Sequence, residues 1–266
     1  MPYYKPVISP IARYLRRLWY PWVYRGTGVF CTLCRREFRS FVNNTCPGCG
    51  CVPGGRLMWL YLQDEWPGLF SDELALLQFA PIPALERRLR EHPNIRYLSA
   101  DLYEPEAMVR LDLTHLDLPD ECFDIVICMH VLAHISNDRQ AMREIFRILR
   151  PGGFALITTP LSDALTVTYE DPCIIDPVAR DEAYGEWDFV RVYGRDFVDR
   201  LQEARFDVEV VRPCEKLDNS TIQRHGLFPD ERVYICRRPE RSDSKPLTAQ
   251  SATADYGGAS KVLSNV

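Results

Sequence analysis

The sequence lacks the features of secreted, membrane-spanning and repetitive proteins. No apolar stretch followed by small residues opens the chain, no hydrophobic run is long enough to cross a bilayer, and no segment is repeated. Histidine is scarce, with five residues, whereas cysteine is present ten times. Because the leader of a secreted disulfide-rich protein is missing, the cysteines indicate a reducing compartment, and we expect a cytoplasmic protein.

A length of 266 residues allows one main domain and a small second one. We expect a basic amphipathic arm at 1–30, a four-cysteine module at 31–55, a main domain at 56–238 and a disordered tail at 239–266. The tail is rich in Ser, Ala, Asp, Thr and Gly and shows no periodicity. The sequence leaves the oligomeric state open.

Charge is unevenly distributed along the chain. The first 40 residues hold eight of the 32 basic residues but only one of the 37 acidic ones, Glu37. The acidic remainder argues against a wholly basic nucleic-acid-binding surface. The run IARYLRRLWYPWVYR predicts a short amphipathic helix that either packs on the protein itself or brings residues 1–40 into weak contact with an anionic surface.

Two cysteine pairs have the spacing of metal ligands. Cys31 and Cys34 form one C-x-x-C motif, and Cys46 and Cys49 form a second one after eleven residues. Such turns direct four thiolates at one tetrahedral Zn²⁺, and Pro-Gly inside the second motif suits a tight turn. The spacing therefore predicts a structural zinc site with Cys51 as a spare; buried thiols without metal are the alternative.

Apolar runs alternate with charged helical ones after residue 73, which is typical of parallel strands joined by crossover helices. The expected helices cover 84–92, 137–150 and 194–206. The expected strands cover 74–80, 95–101, 109–113, 123–129 and 154–159, followed by a final pair at 206–213 and 231–238.

The segments LDLTHLDLPDECFDIVICMHVLAHI and ILRPGGFALITTP resemble the central part of class I methyltransferases that depend on S-adenosylmethionine (SAM). The likeness to the type 11 group covers about Leu74 to Pro213 and includes the pattern D-x-x-x-L-x-x-P-D-x-x-F-D. It implies an α/β, Rossmann-like and mostly parallel sheet with an antiparallel last strand, here preceded by the small zinc-binding module.

The resemblance also implies a SAM site at the ends of the strands. Asp101 and Leu102 follow the second strand, where a carboxylate can accept from both ribose hydroxyls; a local turn cap is the alternative for Asp101. By similarity, Asp112 and the Leu113 N–H would contact adenine. The turn Phe79, Ala80 and Pro81 would border the amino acid end of SAM, although relatives usually carry glycines there.

Met129 and His130 stand where the family places the methionine part of SAM and the acceptor. His130 and His134 are therefore candidate proton acceptors, and the alternative for each is a hydrogen-bonded residue at a helix start. The long loop after the fifth strand is expected to shape an acceptor pocket. Its candidates are Tyr169, Glu170, Asp188, Arg191 and Tyr193, with an ion pair from Arg191 to Asp188 or Asp171 as the alternative.

Three functions follow from these expectations. The first is SAM-dependent O- or N-methylation of a small molecule by in-line transfer. The second is a catalytically degenerate scaffold or partner protein, which is favoured by the absence of acidic residues at Ile82 and Ala133 and by Phe189 where relatives often have histidine. The third is methylation of RNA, for which the basic arm would bind phosphates.

Overall fold

The computed structural model describes residues 19–240, which form two compact units. The first unit comprises 19–72, 81–95 and 211–233, and the second comprises 73–80, 96–210 and 234–240. Positions 1–18 of the expected arm and 241–266 of the expected tail lie outside the described residues. No helix within 19–240 has the length and apolar character needed to span a membrane.

Nine strands and six complete α-helices occur in the described part of the chain, and residues 19–23 are also helical. The strands are β1 Val29–Cys31, β2 Arg36–Phe38, β3 Leu74–Phe79, β4 Ile95–Asp101, β5 Val109–Arg110, β6 Phe123–Met129, β7 Leu149–Thr158, β8 Asp207–Val211 and β9 Val233–Arg237. The helices are α1 Pro53–Glu65, α2 Pro83–Arg90, α3 Asp138–Ile148, α4 Pro177–Tyr184, α5 Phe197–Glu203 and α6 Asn219–His225.

Seven strands form one sheet in the order β5-β4-β3-β6-β7-β9-β8. The pairs β4/β5, β3/β6 and β6/β7 are parallel, whereas β9 is antiparallel to β7. This topology confirms the predicted Rossmann-like fold class. The central strands are long apolar runs because a parallel sheet covered on both faces buries every side chain, as in β3, where all six residues are buried.

Helix α3 shows how the sequence positions the crossovers. Its buried face carries Ala141, Met142, Ile145 and Ile148, which follow the helical period. The Asn137 side chain accepts from the Gln140 N–H at 3.1 Å and caps the first turn. The helix is therefore fixed both at its start and along its face.

Several predicted elements were too long, including the helix expected at 194–206, which is Phe197–Glu203, and the strand expected at 206–213, which is Asp207–Val211. The helix expected at 137–150 ends at Ile148, because Leu149 is already extended and pairs with Phe123 at the start of β7. The strand expected at 109–113 stops at Arg110. Asp112 Oδ1 accepts from the Thr114 N–H at 2.8 Å, and this local turn competes with the strand ladder.

The hairpin β1/β2 and helix α1 were not predicted. Strand β1 pairs antiparallel with β2 on either side of the first cysteine pair, with Val29 opposite Phe38. The three-residue strands are too short to show a period. Helix α1 begins with Pro53, which suits a first helical position, but the two glycines that follow have a low helix propensity.

Candidate functional site

The predicted cofactor residues follow the carboxyl ends of neighbouring strands in the second unit. Phe79 ends β3, Asp101 ends β4, and Met129 ends β6. Ligands of open α/β sheets bind at this edge, outside the strand carboxyl ends. The fold thus brings these three positions to one edge. Pro81 is half-buried and begins a segment of the first unit.

The backbone is strained at two of these strand ends. Ala80 has φ +47° and His130 has φ +55°, a region that residues with a Cβ rarely adopt. The Ala80 N–H donates to the Ala100 carbonyl at 3.0 Å, and the His130 N–H donates to the Thr158 carbonyl at 2.8 Å. The turn after β3 therefore adopts a glycine-like conformation without glycine. Such strain is characteristic of ligand-binding edges.

Asp101 caps a local turn and keeps one oxygen available. Its Oδ1 accepts from the N–H groups of Tyr103 and Glu104 at 2.7 and 2.9 Å, so the turn-cap alternative is observed. Within residues 19–240, its Oδ2 has no hydrogen-bond partner. Leu102, the next residue, is half-buried. One carboxylate oxygen thus remains for a ligand.

Asp112 lies close to Asp101 along the same edge. The N–H of Leu111 donates to the Asp101 carbonyl at 3.2 Å, which joins the two segments. Hydrogen bonds from the Thr114 N–H and hydroxyl to Oδ1 hold the pKa of Asp112 below its usual range. The carboxylate is exposed, whereas Leu113 is buried. Asp112 is therefore an ionised acceptor near neutral pH.

Three buried polar atoms lack a hydrogen-bond partner among the described residues. They are Gln78 Nε2 at the carboxyl half of β3, and Oγ1 of Thr158 and Thr159 at the end of β7. Gln78 Oε1 accepts from the Tyr97 hydroxyl at 2.9 Å, which fixes the amide. Buried unsatisfied donors are costly and require an explanation. Sequence reasoning passed over them, although polar residues inside apolar strands are a visible signal.

His134 lies beside Asp188 and Phe189. Its Nδ1 is 3.4 Å from Asp188 Oδ2, and both side chains are 37% exposed. The Phe189 ring packs edge-on at 4.8 Å between centroids. The Val190 N–H donates to the Ala133 carbonyl at 2.9 Å, so the backbone holds this arrangement in place. A carboxylate at Nδ1 can orient the imidazole and leave Nε2 to face an acceptor.

Arg191 lies beneath the loop and is 3% exposed. Its guanidinium donates to the carbonyls of Leu132, Ile135 and Ser136 and, at 2.8 Å, to Glu170. The ion-pair alternative is thus realised with Glu170 rather than with the expected aspartates. Arg191 fixes the turn that carries His134.

Tyr193 and Glu170 belong to the same hydrogen-bond network, in which the Glu170 side chain is 34% exposed. The Tyr193 hydroxyl donates to Asp138 at 2.9 Å, and Arg200 bridges Asp138 and Glu170. Tyr193 has no exposed surface, whereas Tyr169 is 44% exposed. Among the predicted pocket residues, Tyr169, Glu170 and Asp188 therefore have exposed surface, while Arg191 and Tyr193 are buried and order the loop.

The first unit brings the four predicted metal ligands together. The sulfurs of Cys31, Cys34, Cys46 and Cys49 all lie within 4.8 Å of one another. Cys31 Sγ is 3.6 Å from Cys49 Sγ, and Cys34 Sγ is 3.7 Å from Cys46 Sγ. A tetrahedral Zn²⁺ with bonds of about 2.3 Å requires sulfurs about 3.8 Å apart. The thiols thus fit this ion.

Both cysteine turns have the same backbone geometry. The Arg35 N–H donates to the Cys31 carbonyl at 2.8 Å, and the Gly50 N–H donates to the Cys46 carbonyl at 2.9 Å. Arg35 and Gly50 have positive φ, +53° and +76°. The Gly48 N–H also donates to Cys46 Sγ at 3.3 Å, which favours a thiolate.

Cys51 and Arg56 flank this cluster. Burial raises the pKa of the Cys51 thiol, and its sulfur donates to the Val52 carbonyl, so it is a neutral spare. Arg56 is completely buried and donates to the carbonyls of Cys51, Asn44, His225 and Gly226. Its positive charge lies among the cysteines and lowers the free energy of their thiolates.

Comparison with known proteins gives matches in the central part of the chain. Residues 84–157 match the family model described as a methyltransferase domain. A probable S-adenosylmethionine-dependent methyltransferase of Mycolicibacterium smegmatis is 41% identical over 69 residues, which are 26% of this chain and 24% of that protein. A demethylmenaquinone methyltransferase of Chlamydia trachomatis is 29% identical over 103 residues, 39% of each chain.

The matched region spans between a quarter and two fifths of these relatives. Among solved structures, an S-adenosylmethionine-dependent methyltransferase from Mesorhizobium loti is 20% identical with a TM-score of 0.46, covering 65% of this chain and 97% of that one. The sheet order, the strand-end residues and the family match agree. Residues 84–157 are therefore similar to a methyltransferase domain, and the relatives of this region include a probable SAM-dependent methyltransferase.

Proposed function

We propose that this protein transfers a methyl group from SAM to a small-molecule acceptor. The observation that carries this proposal is the edge formed by Ala80 and His130, where strained backbone adjoins buried unpaired donors of Gln78 and Thr158. A bound ligand with polar groups would satisfy these donors, which explains why the fold tolerates them.

The residues suggest a division of tasks at this edge. The unpaired Asp101 oxygen and the ionised Asp112 are the acceptors proposed for the ribose hydroxyls and the adenine amino group, with Leu102 and Leu113 beside them. Phe79, Ala80 and Met129 would border the remainder of SAM, and Gln78 can donate to its carboxylate. When bound, SAM supplies an electrophilic methyl group on sulfur.

His134 is the proposed proton acceptor for a hydroxyl or amine. Asp188 at Nδ1 stabilises the imidazolium that forms when Nε2 takes a proton. His130 remains a second candidate because it follows β6 directly. Tyr169 and Asp188 would form the exposed wall of the acceptor pocket. Because some relatives are quinone C-methyltransferases, a ring carbon is a further candidate acceptor. Methylation of such a carbon would also require a base to remove its proton.

The cysteine unit is proposed to hold one structural Zn²⁺ through Cys31, Cys34, Cys46 and Cys49. Four thiolates saturate a tetrahedral ion and leave no position for chemistry. Because this site needs reduced thiols, it supports the expected cytoplasmic location.

Calorimetric titration with SAM and with S-adenosylhomocysteine tests the proposal. We compare the wild type with the double variant Asp101→Asn and Asp112→Asn, in which amide oxygens can still accept the turn hydrogen bonds. The matched control is Asp117→Asn with Asp207→Asn, two exposed aspartates outside the edge. Binding by the wild type and control, with a loss in the double variant, is expected.

Two outcomes would count against the proposal. If neither ligand binds to the wild type, the domain is a scaffold rather than an enzyme. If the double variant binds as well as the wild type, the cofactor lies elsewhere. Salt-sensitive binding of RNA together with SAM would instead favour a nucleic-acid acceptor.

A further inference from the structure

The described start of the chain exposes an unusual set of side chains. Trp19, Trp22 and Val23 are 67%, 73% and 57% exposed. Two exposed arginines lie nearby: Arg25 follows in the sequence, and Arg39 contacts Tyr24. We call these five residues the Trp/Arg patch. Large apolar groups exposed next to each other mark an interaction surface rather than ordinary scatter.

The patch is fixed to the β1/β2 hairpin. Residues 19–23 are helical, and the Arg39 N–H donates to the Tyr24 carbonyl at 2.7 Å. The Arg39 guanidinium lies 6.0 Å from the centre of the Tyr24 ring. A Cβ at Gly26 would come within 3.0 Å of the Arg39 Cα, so glycine permits this approach. The patch therefore has a defined structure.

The surrounding charge is positive and unpaired. Arg25 and Arg39, together with Arg35 and Arg36 at the hairpin turn, have no carboxylate partner within residues 19–240 and are exposed. Glu37, the one acidic residue nearby in the chain, is paired with Arg224. The local surface thus attracts anions although the whole chain has a net charge of −5.

We propose that the Trp/Arg patch binds an anionic phospholipid surface. Tryptophan rings are favoured at the level of lipid headgroups, where one edge is apolar and the other is wet. Arginines beside them bind lipid phosphates bidentately. Val23 distinguishes this surface from an RNA site, because an aliphatic side chain gains from acyl chains and gains little from stacking on bases. The proposal does not depend on methyl transfer.

Tryptophan fluorescence and co-sedimentation of the full chain with vesicles test this surface. Vesicles of phosphatidylcholine with phosphatidylglycerol should bind the protein and shift its emission to the blue, whereas pure phosphatidylcholine should not. Arg25→Gln with Arg39→Gln should weaken binding by about 30-fold, since each arginine contributes about fivefold. The control pair Arg110→Gln and Arg143→Gln, both exposed in the second unit, should bind as the wild type does.

The tryptophans have their own matched control. Trp19→Ser with Trp22→Ser should abolish the blue shift, whereas Trp187→Ser, which removes a 44% exposed tryptophan elsewhere, should preserve it. Zinc content and circular dichroism show that each variant is folded. Equal binding to neutral vesicles, wild-type binding by either patch variant, or a shift produced by polyuridylate but not by anionic vesicles would each overturn the proposal.

Discussion

Replacing Glu170 by glutamine should destabilise the second unit much more than the same change at an exposed ion pair. Glu170 accepts from Arg191 at 2.8 Å and from Arg200 at 2.9 Å, and these guanidiniums are 2% and 4% exposed. Glutamine retains one oxygen for one arginine and directs an N–H towards the other. One charge-assisted hydrogen bond is lost beside a buried cation, which costs about 2–3 kcal/mol.

Thermal unfolding gives the measurement. A loss of this size lowers the midpoint by about 5–10 °C for a chain of this length. The matched control is Glu203→Gln, which breaks the exposed pair with Arg139 at 2.7 Å. Exposed pairs contribute at most about 1 kcal/mol, so this variant should unfold close to the wild type.

The dependence on pH provides a second check on Glu170. Burial opposes ionisation, but hydrogen bonds from Arg200 and Arg191 outweigh it and hold the pKa of Glu170 below its ordinary 4.5. The carboxylate therefore stabilises the fold above this value, and the stabilisation is lost as the pH falls through the lowered pKa. The difference between the wild type and Glu170→Gln should shrink below about pH 4.5. Equal midpoints for the two glutamine variants would refute the reasoning.

Three further predictions concern the turns. One Zn²⁺ per chain should be released by a thiol reagent and detected with a chromogenic chelator; Cys46→Ser should lose it, whereas Cys51→Ser should retain it. Gly48→Ala should lower zinc affinity in the same assay, because the added Cβ would lie 2.7 Å from the Phe38 ring. Ala80→Gly should raise the unfolding midpoint by about 2–4 °C by relieving about 1 kcal/mol of strain, and a fall would contradict the strained turn.

The sequence predicted those parts of the structure that depend on local patterns. The spacing of Cys31, Cys34, Cys46 and Cys49 was sufficient to predict that their sulfurs cluster, because each turn joins two cysteines that are close in the chain. The parallel sheet followed from apolar runs that alternate with amphipathic ones, of which α3 is the clearest.

The partners of charged groups could not be predicted in this way. Arg191 was expected to pair with Asp188 or Asp171, which are near in sequence, but it binds Glu170 and three carbonyls of the turn 132–136. Several carboxylates lie at similar sequence distances, and only the packed loop selects one. The positive φ of Ala80 was hidden for a similar reason, since nothing in the composition marks a strained alanine.

The three-segment construction of the first unit affects how the chain is made. Arg56 donates to the carbonyls of His225 and Gly226, roughly 180 residues beyond the last cysteine ligand. At ribosomal rates these carbonyls emerge about 10 to 35 s after the thiols. During that interval the Arg56 guanidinium has only two of its four carbonyl acceptors, those of Asn44 and Cys51. We therefore expect the nascent thiols to be more accessible to metal ions and to oxidants at this stage of synthesis than in the folded protein.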